Sequence, residues 1–287
     1  MKSERLTPYL LLFPSFIFIF FMMIYPTFYS LYLAVYDITG YSRGGFVGLN
    51  NFISILTSPT FLESLSVTFK FVIVAMIVEL ILGLSIAVLL NGINFGVKII
   101  RTLLLFPMMA TPVVVSLIAR LFLTPEYGVI NTVLESFGLP LQRWLIDSNV
   151  AIYALVGVDV WEFTPYVTLI LLAGLKSIRL ELYEASAIDG ASRVQTFTYI
   201  TLPLILPHIL IANIFNLMRL IKTYDLVYML TAGGPGRSTS IISFFIEQMA
   251  VPHMRLSEAA AATWVLLVFV LIISSIYVIY IRRSFIV

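Results

Sequence analysis

From Leu6 to Tyr36 the chain carries no charged residue, a run longer than the roughly 20 residues that take an α-helix across about 30 Å of hydrocarbon. This feature constrains the fold most, because backbone in lipid must satisfy its own N–H and C=O groups and only helices and closed barrels do so. Apolar stretches of similar length recur, and the reading is six transmembrane helices at about 9–33, 67–90, 99–123, 151–175, 204–229 and 259–281. Composition agrees, with 60% hydrophobic and 11% charged residues against roughly 25% charged in an ordinary soluble protein. The expected fold class is an all-α integral membrane protein forming one transmembrane domain over 1–287. A cleaved leader would have a core of about 7–15 apolar residues ending at small ones, so the first span is read as uncleaved. The net charge of +2 does not suggest nucleic acid, and the absence of cysteine removes disulfides, thiolate metal sites and a cysteine nucleophile.

Along the chain, Pro14 and Pro26 predict bends in the first span, since each removes a backbone donor. Residues 37–66 read as a polar connection. Span two is interrupted by Glu79, a short turn follows from Asn91 to Lys98, and Pro107 with Pro112 predicts a kink in span three. The segment 125–149 reads as a loop, and the amphipathic piece 240–249 is too short to span. Tyr29, Tyr32 and Tyr36 fit an interfacial aromatic belt. Six spans put both termini on one side. With the termini inside, cytoplasmic segments hold Lys2, Arg5, Lys98, Arg101, Lys176, Arg179, Arg193, Arg282 and Arg283, whereas outer segments hold Arg43, Arg143, Arg237 and Arg255. Basic residues favour the inside, so the termini and the connection 177–203 are expected in the cytoplasm.

That connection reads as two short helices with a hinge. Gly190 suits a left-handed helix stop, Ser192 with Gln195 forms a capping box that starts a second helix, and Pro203 is expected to end it. Small residues at Ala185, Ala187 and Ala191 allow another protein to approach, and Glu184 and Asp189 supply anchoring acceptors. An amphipathic linker between two spans is the plainer alternative. The pattern Glu184-Ala185-Ser186, Asp189-Gly190-Ala191, Phe197 and Ile200-Thr201-Leu202-Pro203 resembles the cytoplasmic coupling loop of permeases of binding-protein-dependent ABC importers, with Ser186 standing where an alanine is usual. Phe46–Phe52, Pro125–Asn131 and Leu230–Pro235 are similar to segments of the maltose-type sugar permeases.

The resemblance implies a permease of a bacterial or archaeal plasma membrane that works in a pair, its partner a different permease chain. An extracytoplasmic sugar-binding protein would deliver a mono-, di- or oligosaccharide. It implies coupling to ABC ATPase subunits through Glu184, Ala185, Asp189, Gly190 and Ala191. No Gly-x-x-x-x-Gly-Lys-Ser/Thr run occurs in the sequence. The chain is therefore expected to be no enzyme and to hold no cofactor, ATP and Mg belonging to the partner ATPase.

Ionisable groups inside a span are costly and mark cavities or partners. Asp159, Glu162, Phe163 and Tyr166 share one helical face, and Asn216, Arg219, Leu220 and Thr223 share another, with Lys222 beside them. Counted from Leu175 and Pro203, Glu162 and Asn216 lie thirteen residues in and Asp159 and Arg219 sixteen, a matched depth of about 20–24 Å. These eight residues are the candidate substrate pocket, since carboxylates, amides and a guanidinium fork around sugar hydroxyls while aromatic faces cover C–H surface. The same spacing suits a structural Asp159–Arg219 pair locking two helices, and both roles can coexist. Glu79 fits either a helix–helix bond or substrate. His208 and His253 lack further ligands at zinc spacing, and no serine has a nucleophile-elbow setting. A secondary transporter or channel could use the same polar stripe, and an intramembrane enzyme could use Asp159 and Glu162, although two carboxylates one turn apart would line one wall rather than flank a bond.

Overall fold

The computed structural model describes residues 2–40, 42–93 and 96–285, with side chains at 11–40, 42, 44–93 and 96–279. The side chains of Lys2, Arg5, Arg43, Arg282 and Arg283, and positions 94 and 95 of the expected turn, lie outside the described residues. In chain order the elements are α1 (Lys2–Ile19), a π-helical turn (Phe20–Ile24), α2 (Tyr25–Val35), β1 (Tyr36–Thr39), β2 (Ser42–Phe46), α3 (Asn50–Thr57), α4 (Pro59–Asn91), α5 (Val97–Met109) and α6 (Pro112–Phe122). Then follow α7 (Val129–Ser136), α8 (Ala151–Ser177), α9 (Leu180–Ile188), α10 (Arg193–Thr196), a second π-helical turn (Phe197–Thr201), α11 (Leu202–Ile221), α12 (Asp225–Leu230), α13 (Ile242–Ala250) and α14 (Leu256–Phe285). Among the described residues five helical stretches are long and apolar enough to cross a membrane, or six when α5 and α6 are taken as one broken span. The structure divides into two compact units, 1–62 with 245–271, and 63–244 with 272–287.

In the first unit, helix 11–35 exposes side chains such as Phe13, Phe16 and Phe28 along its length, as expected for lipid-facing surface. Pro26 does not break it. The π turn lies just before the proline, and the Tyr25 N–H reaches back to the Phe20 carbonyl, widening the helix where the proline ring would crowd the preceding turn. The expected polar connection holds defined structure. β1 and β2 pair antiparallel, with Tyr36 opposite Phe46 and an irregularity before Ile38. Asn51 from the sugar-permease-like segment donates to the carbonyls of Ala34 and Tyr36, both at 2.9 Å, which fixes the exit of α2. Ser257 binds the hairpin, accepting from Ile38 N at 2.7 Å.

The second unit is organised on α8, which packs against α5 and α11. Two glycines allow close approach. A Cβ at Gly83 of α4 would stand 2.8 Å from Val167 Cγ1, and one at Gly174 of α8 would stand 2.5 Å from the His208 ring of α11; small residues serve this purpose where helices pack in membranes. Around them Ala87, Leu90, Val167, Leu171, Leu175, Ile205 and Ala212 form a buried core. Gly174→Ala is therefore expected to lower the stability of the detergent-purified protein by about 1–3 kcal/mol, read as a lowered thermal unfolding midpoint. An unchanged midpoint would contradict this packing.

Several expected boundaries change. The helix that holds the second expected span starts at Pro59, ahead of 67, because Ser58 accepts from Phe61 N at 3.4 Å and Pro59 sits in the first turn. Span three is broken, not kinked: α5 and α6 meet at 91°. Ala110 and Thr111 are extended there, Thr111 caps α6 and Pro112 occupies its first turn, while Pro107 is tolerated inside α5. Pro203 ends nothing, since the second π turn precedes it and the helical path from Arg193 to Ile221 is one stretch. The fifth span stops at Ile221 rather than 229. Lys222 caps it, and Leu226, Val227 and Leu230 belong to the separate α12.

The loop 125–149 is built around Asn131 of α7. Its side chain donates to the carbonyls of Pro125 (3.0 Å) and Gln142 (2.9 Å) and accepts from Trp144 Nε1 (2.9 Å). Gly128 before it has no room for a side chain, a Cβ standing 2.3 Å from the Thr124 carbonyl oxygen.

Candidate functional site

α8 and α11 leave a two-helix elbow at one end and carry an ionic cluster toward the other. At the elbow, α9 stops in a Schellman arrangement: Gly190 N–H donates to the Ala187 carbonyl (3.2 Å), and Ala191 N–H donates to that of Ser186 (3.0 Å). Gly190 has φ +73°, a conformation that favours glycine. Ser192 then opens α10 with the reciprocal capping box to Gln195, as its spacing predicts. Ser186 is buried, its hydroxyl donating to the Tyr183 carbonyl at 2.8 Å and lying 3.3 Å from Thr196 Oγ1. Tyr183 Oη lies 3.2 Å from Thr201 Oγ1, so these hydroxyls tie α9 to α10 and to the π turn. Behind the elbow lies a hollow of about 370 Å³ lined by Val88, Leu175, Tyr183, Ala187 and Phe197 among others. Glu184, Ala185, Asp189 and Gly190 are exposed and Ala191 is half-buried. Ile188 (87% exposed), Val194 and Tyr199 present apolar surface beside them.

The cluster joins three helices. Arg219 in the last turn of α11 grips Asp159 of α8 through Nη1–Oδ1 at 2.8 Å and Nη2–Oδ2 at 2.9 Å. Nη2 also reaches Glu79 Oε1 of α4 at 2.9 Å, and Nε donates to Asn216 Oδ1 at 3.0 Å. Asn216 Nδ2 donates to Glu79 Oε2. The Phe163 ring covers the guanidinium, its centroid 3.7 Å from Cζ, a cation–π contact. Glu79, Asp159, Glu162 and Asn216 are all buried, whereas the Arg219 side chain keeps 20% exposure. Forked pairing of this kind is the geometry a guanidinium gives carboxylates.

Of the predicted residues, Asp159, Phe163, Asn216 and Arg219 meet directly. Glu162 is buried beside them, yet among the described residues no side chain or backbone group donates a hydrogen bond to its carboxyl. Tyr166 is half-buried and packs on the apolar core. Leu220 is fully buried. Thr223 lies past the end of α11, its Oγ1 3.4 Å from the Arg219 carbonyl and its own carbonyl accepting from Ser243 Oγ. Glu79 is the member whose role sequence left open: a lone carboxylate amid apolar residues signals a partner, but the partner stands 140 positions away. Among the described residues no His, Asp and Glu group could hold a metal ion.

An elbow between two long helices and a polar clamp buried among apolar, span-length helices are the features of a polytopic membrane protein. The chain belongs to the family described as the binding-protein-dependent transport system inner membrane component, which matches residues 79–285. It is similar to a trehalose/maltose transport system permease protein of Thermococcus litoralis, 34% identical over 93% of this chain and 90% of that one. It is also similar to a sulfoquinovosyl glycerol transport system permease protein of Agrobacterium fabrum, 32% identical over 98% and 92%. In fold it resembles a chain of a solved bacterial alginate ABC transporter in complex with a periplasmic protein, with a TM-score of 0.86, 22% identity and coverage of 98% and 96%. It is thus a multi-pass transport subunit and not an enzyme.

Proposed function

We propose that this permease imports a sugar delivered by an extracytoplasmic binding protein, driven by ABC ATPase subunits that grip the elbow and working beside a second, different permease chain. The observation that carries this reading is that one pair of helices holds both parts. α8 runs from Asp159 to Ser177 and into the elbow, and α11 runs from the elbow to Arg219. Eighteen residues of helix are about 27 Å long, so a tilt imposed on the elbow moves the clamp as a rigid lever would. Asp159, Asn216 and Arg219 brace the pocket, Glu79 anchors them to α4, and Glu162, Phe163 and Tyr166 are the groups presented to the ligand. Leu220 and Thr223 hold the end of α11. ATP and Mg belong to the partner ATPase. The names of the relatives, sugar permeases in two cases, support the substrate class.

The elbow faces the cytoplasm in this reading, as do both termini. A reporter active only outside the cytoplasm is expected to work when fused near Gly44 or Gly138 and to fail near Gly190 or after Phe285. A working fusion at Gly190 would invert the topology and remove the ATPase from its docking site. Sugar import itself is tested in proteoliposomes holding both permeases and the ATPase: uptake should require ATP and the binding protein, and proton-driven uptake by this chain alone would contradict it.

A further inference from the structure

We infer that the pocket accepts neutral or amino sugars and rejects acidic ones, an inference that rests on the sugar pocket proposed above and names its charge preference. The cluster holds three carboxyl groups, Glu79, Asp159 and Glu162, against one guanidinium. Four of the five N–H groups of Arg219 are already engaged: Nε on Asn216, one of Nη1 on Asp159, and both of Nη2 among Glu79, Asp159 and Asn216. Its face is covered by Phe163. No fork remains to hold a ligand carboxylate or sulfonate by two parallel donors.

Glu162 is the complementary observation. It is 2% exposed, within electrostatic reach of both Asp159 and Arg219, and has no donor of its own among the described residues. A carboxyl that no protein donor reaches is left open to donors from a ligand. Sugar hydroxyls supply donors, an ammonium group supplies a donor and a charge, and an acidic sugar brings a like charge. Phe163 and Tyr166, one and four residues further along α8, supply the aromatic faces. Lys222, the next basic residue after Arg219, is exposed and engages no carboxylate of the cluster.

The test uses three probes on one scaffold: trehalose, its 6-amino-6-deoxy analogue and its 6-carboxylate. Binding to the assembled permease pair and ATPase in nanodiscs, without binding protein, is measured by saturation-transfer NMR. The neutral and amino probes are expected to bind at least about tenfold more tightly than the carboxylate. Glu162→Gln should shrink that ratio several-fold, and Glu162→Asp, which keeps the carboxyl group, should preserve it. Carboxylate binding equal to that of trehalose, or a ratio unmoved by Glu162→Gln, overturns the inference while leaving the pocket in place. Phe163→Ala and Tyr166→Ala report on the pocket itself. If they leave binding of every probe unchanged, or if no probe binds the wild type, the pocket reading falls and the charge preference with it.

Discussion

Gly190→Pro is expected to reduce uptake and transport-coupled ATP hydrolysis to background while the protein still inserts and assembles with its partner permease. The structure gives two independent reasons. Gly190 sits at φ +73°, a region proline's ring forbids, and its N–H closes one of the two hydrogen bonds that end α9. Both losses fall at one exposed joint between α9 and α10, outside the buried core, so damage to coupling should exceed damage to folding. Gly190→Ala separates the contributions. A Cβ there meets nothing within 4 Å, so alanine carries only the left-handed backbone cost of about 1–2 kcal/mol and should retain part of the activity. Glu184→Lys tests the docking charge without touching the backbone. Glu184 is exposed and, among the described residues, makes no ion pair within the chain, so its reversal should spare stability and abolish ATPase association in co-purification. Normal uptake by the proline or lysine variant would refute the elbow as the coupling joint.

The elbow was legible because its determinants are local. Gly190, Ser192 and Gln195 act within a few residues of one another, and each does in the structure what its spacing implies. Pro203 misleads for the opposite reason. Whether a proline stops a helix depends on whether the preceding turn can widen, and the π turn at Phe197–Thr201 absorbs it, as the turn at Phe20–Ile24 absorbs Pro26. Hydropathy also blurs ends. It carries the fifth span through Leu226 and Val227, although the chain turns at Lys222, and it starts the second at 67 because Glu63 and the serines around it read as polar connection, although the helix begins at Pro59. Matched depth brought Asp159 and Arg219 together, because two helices joined by a short elbow must run antiparallel with their residues in register. Glu79 had no such constraint. Nothing short of the packed arrangement of α4 against α8 at Gly83 tells which carboxylate on α4 reaches the guanidinium.

Arg219→Gln is expected to destabilise the protein by about 3–5 kcal/mol, the cost of leaving buried carboxylates without their cation. Because Arg219 serves both Asp159 and Glu79, compensation must be stepwise. Asp159→Asn with Arg219→Gln removes one orphaned charge and should recover part of the loss. Adding Glu79→Gln removes the second, and the triple variant should be more stable than the double, since the introduced amides can exchange hydrogen bonds with one another and with Asn216 where charges stood. Thermal unfolding in detergent, analysed as a mutant cycle, reads the couplings directly. Equal stability of the single and double variants would mean that Asp159 is not held by Arg219, and equal stability of the double and triple would remove Glu79 from the clamp. Transport separates bracing from binding. If the clamp orients Glu162 and Phe163 toward the sugar, the triple variant should fold yet import at least about tenfold more slowly. Wild-type import by a stable triple variant would make the network purely structural and move the pocket elsewhere.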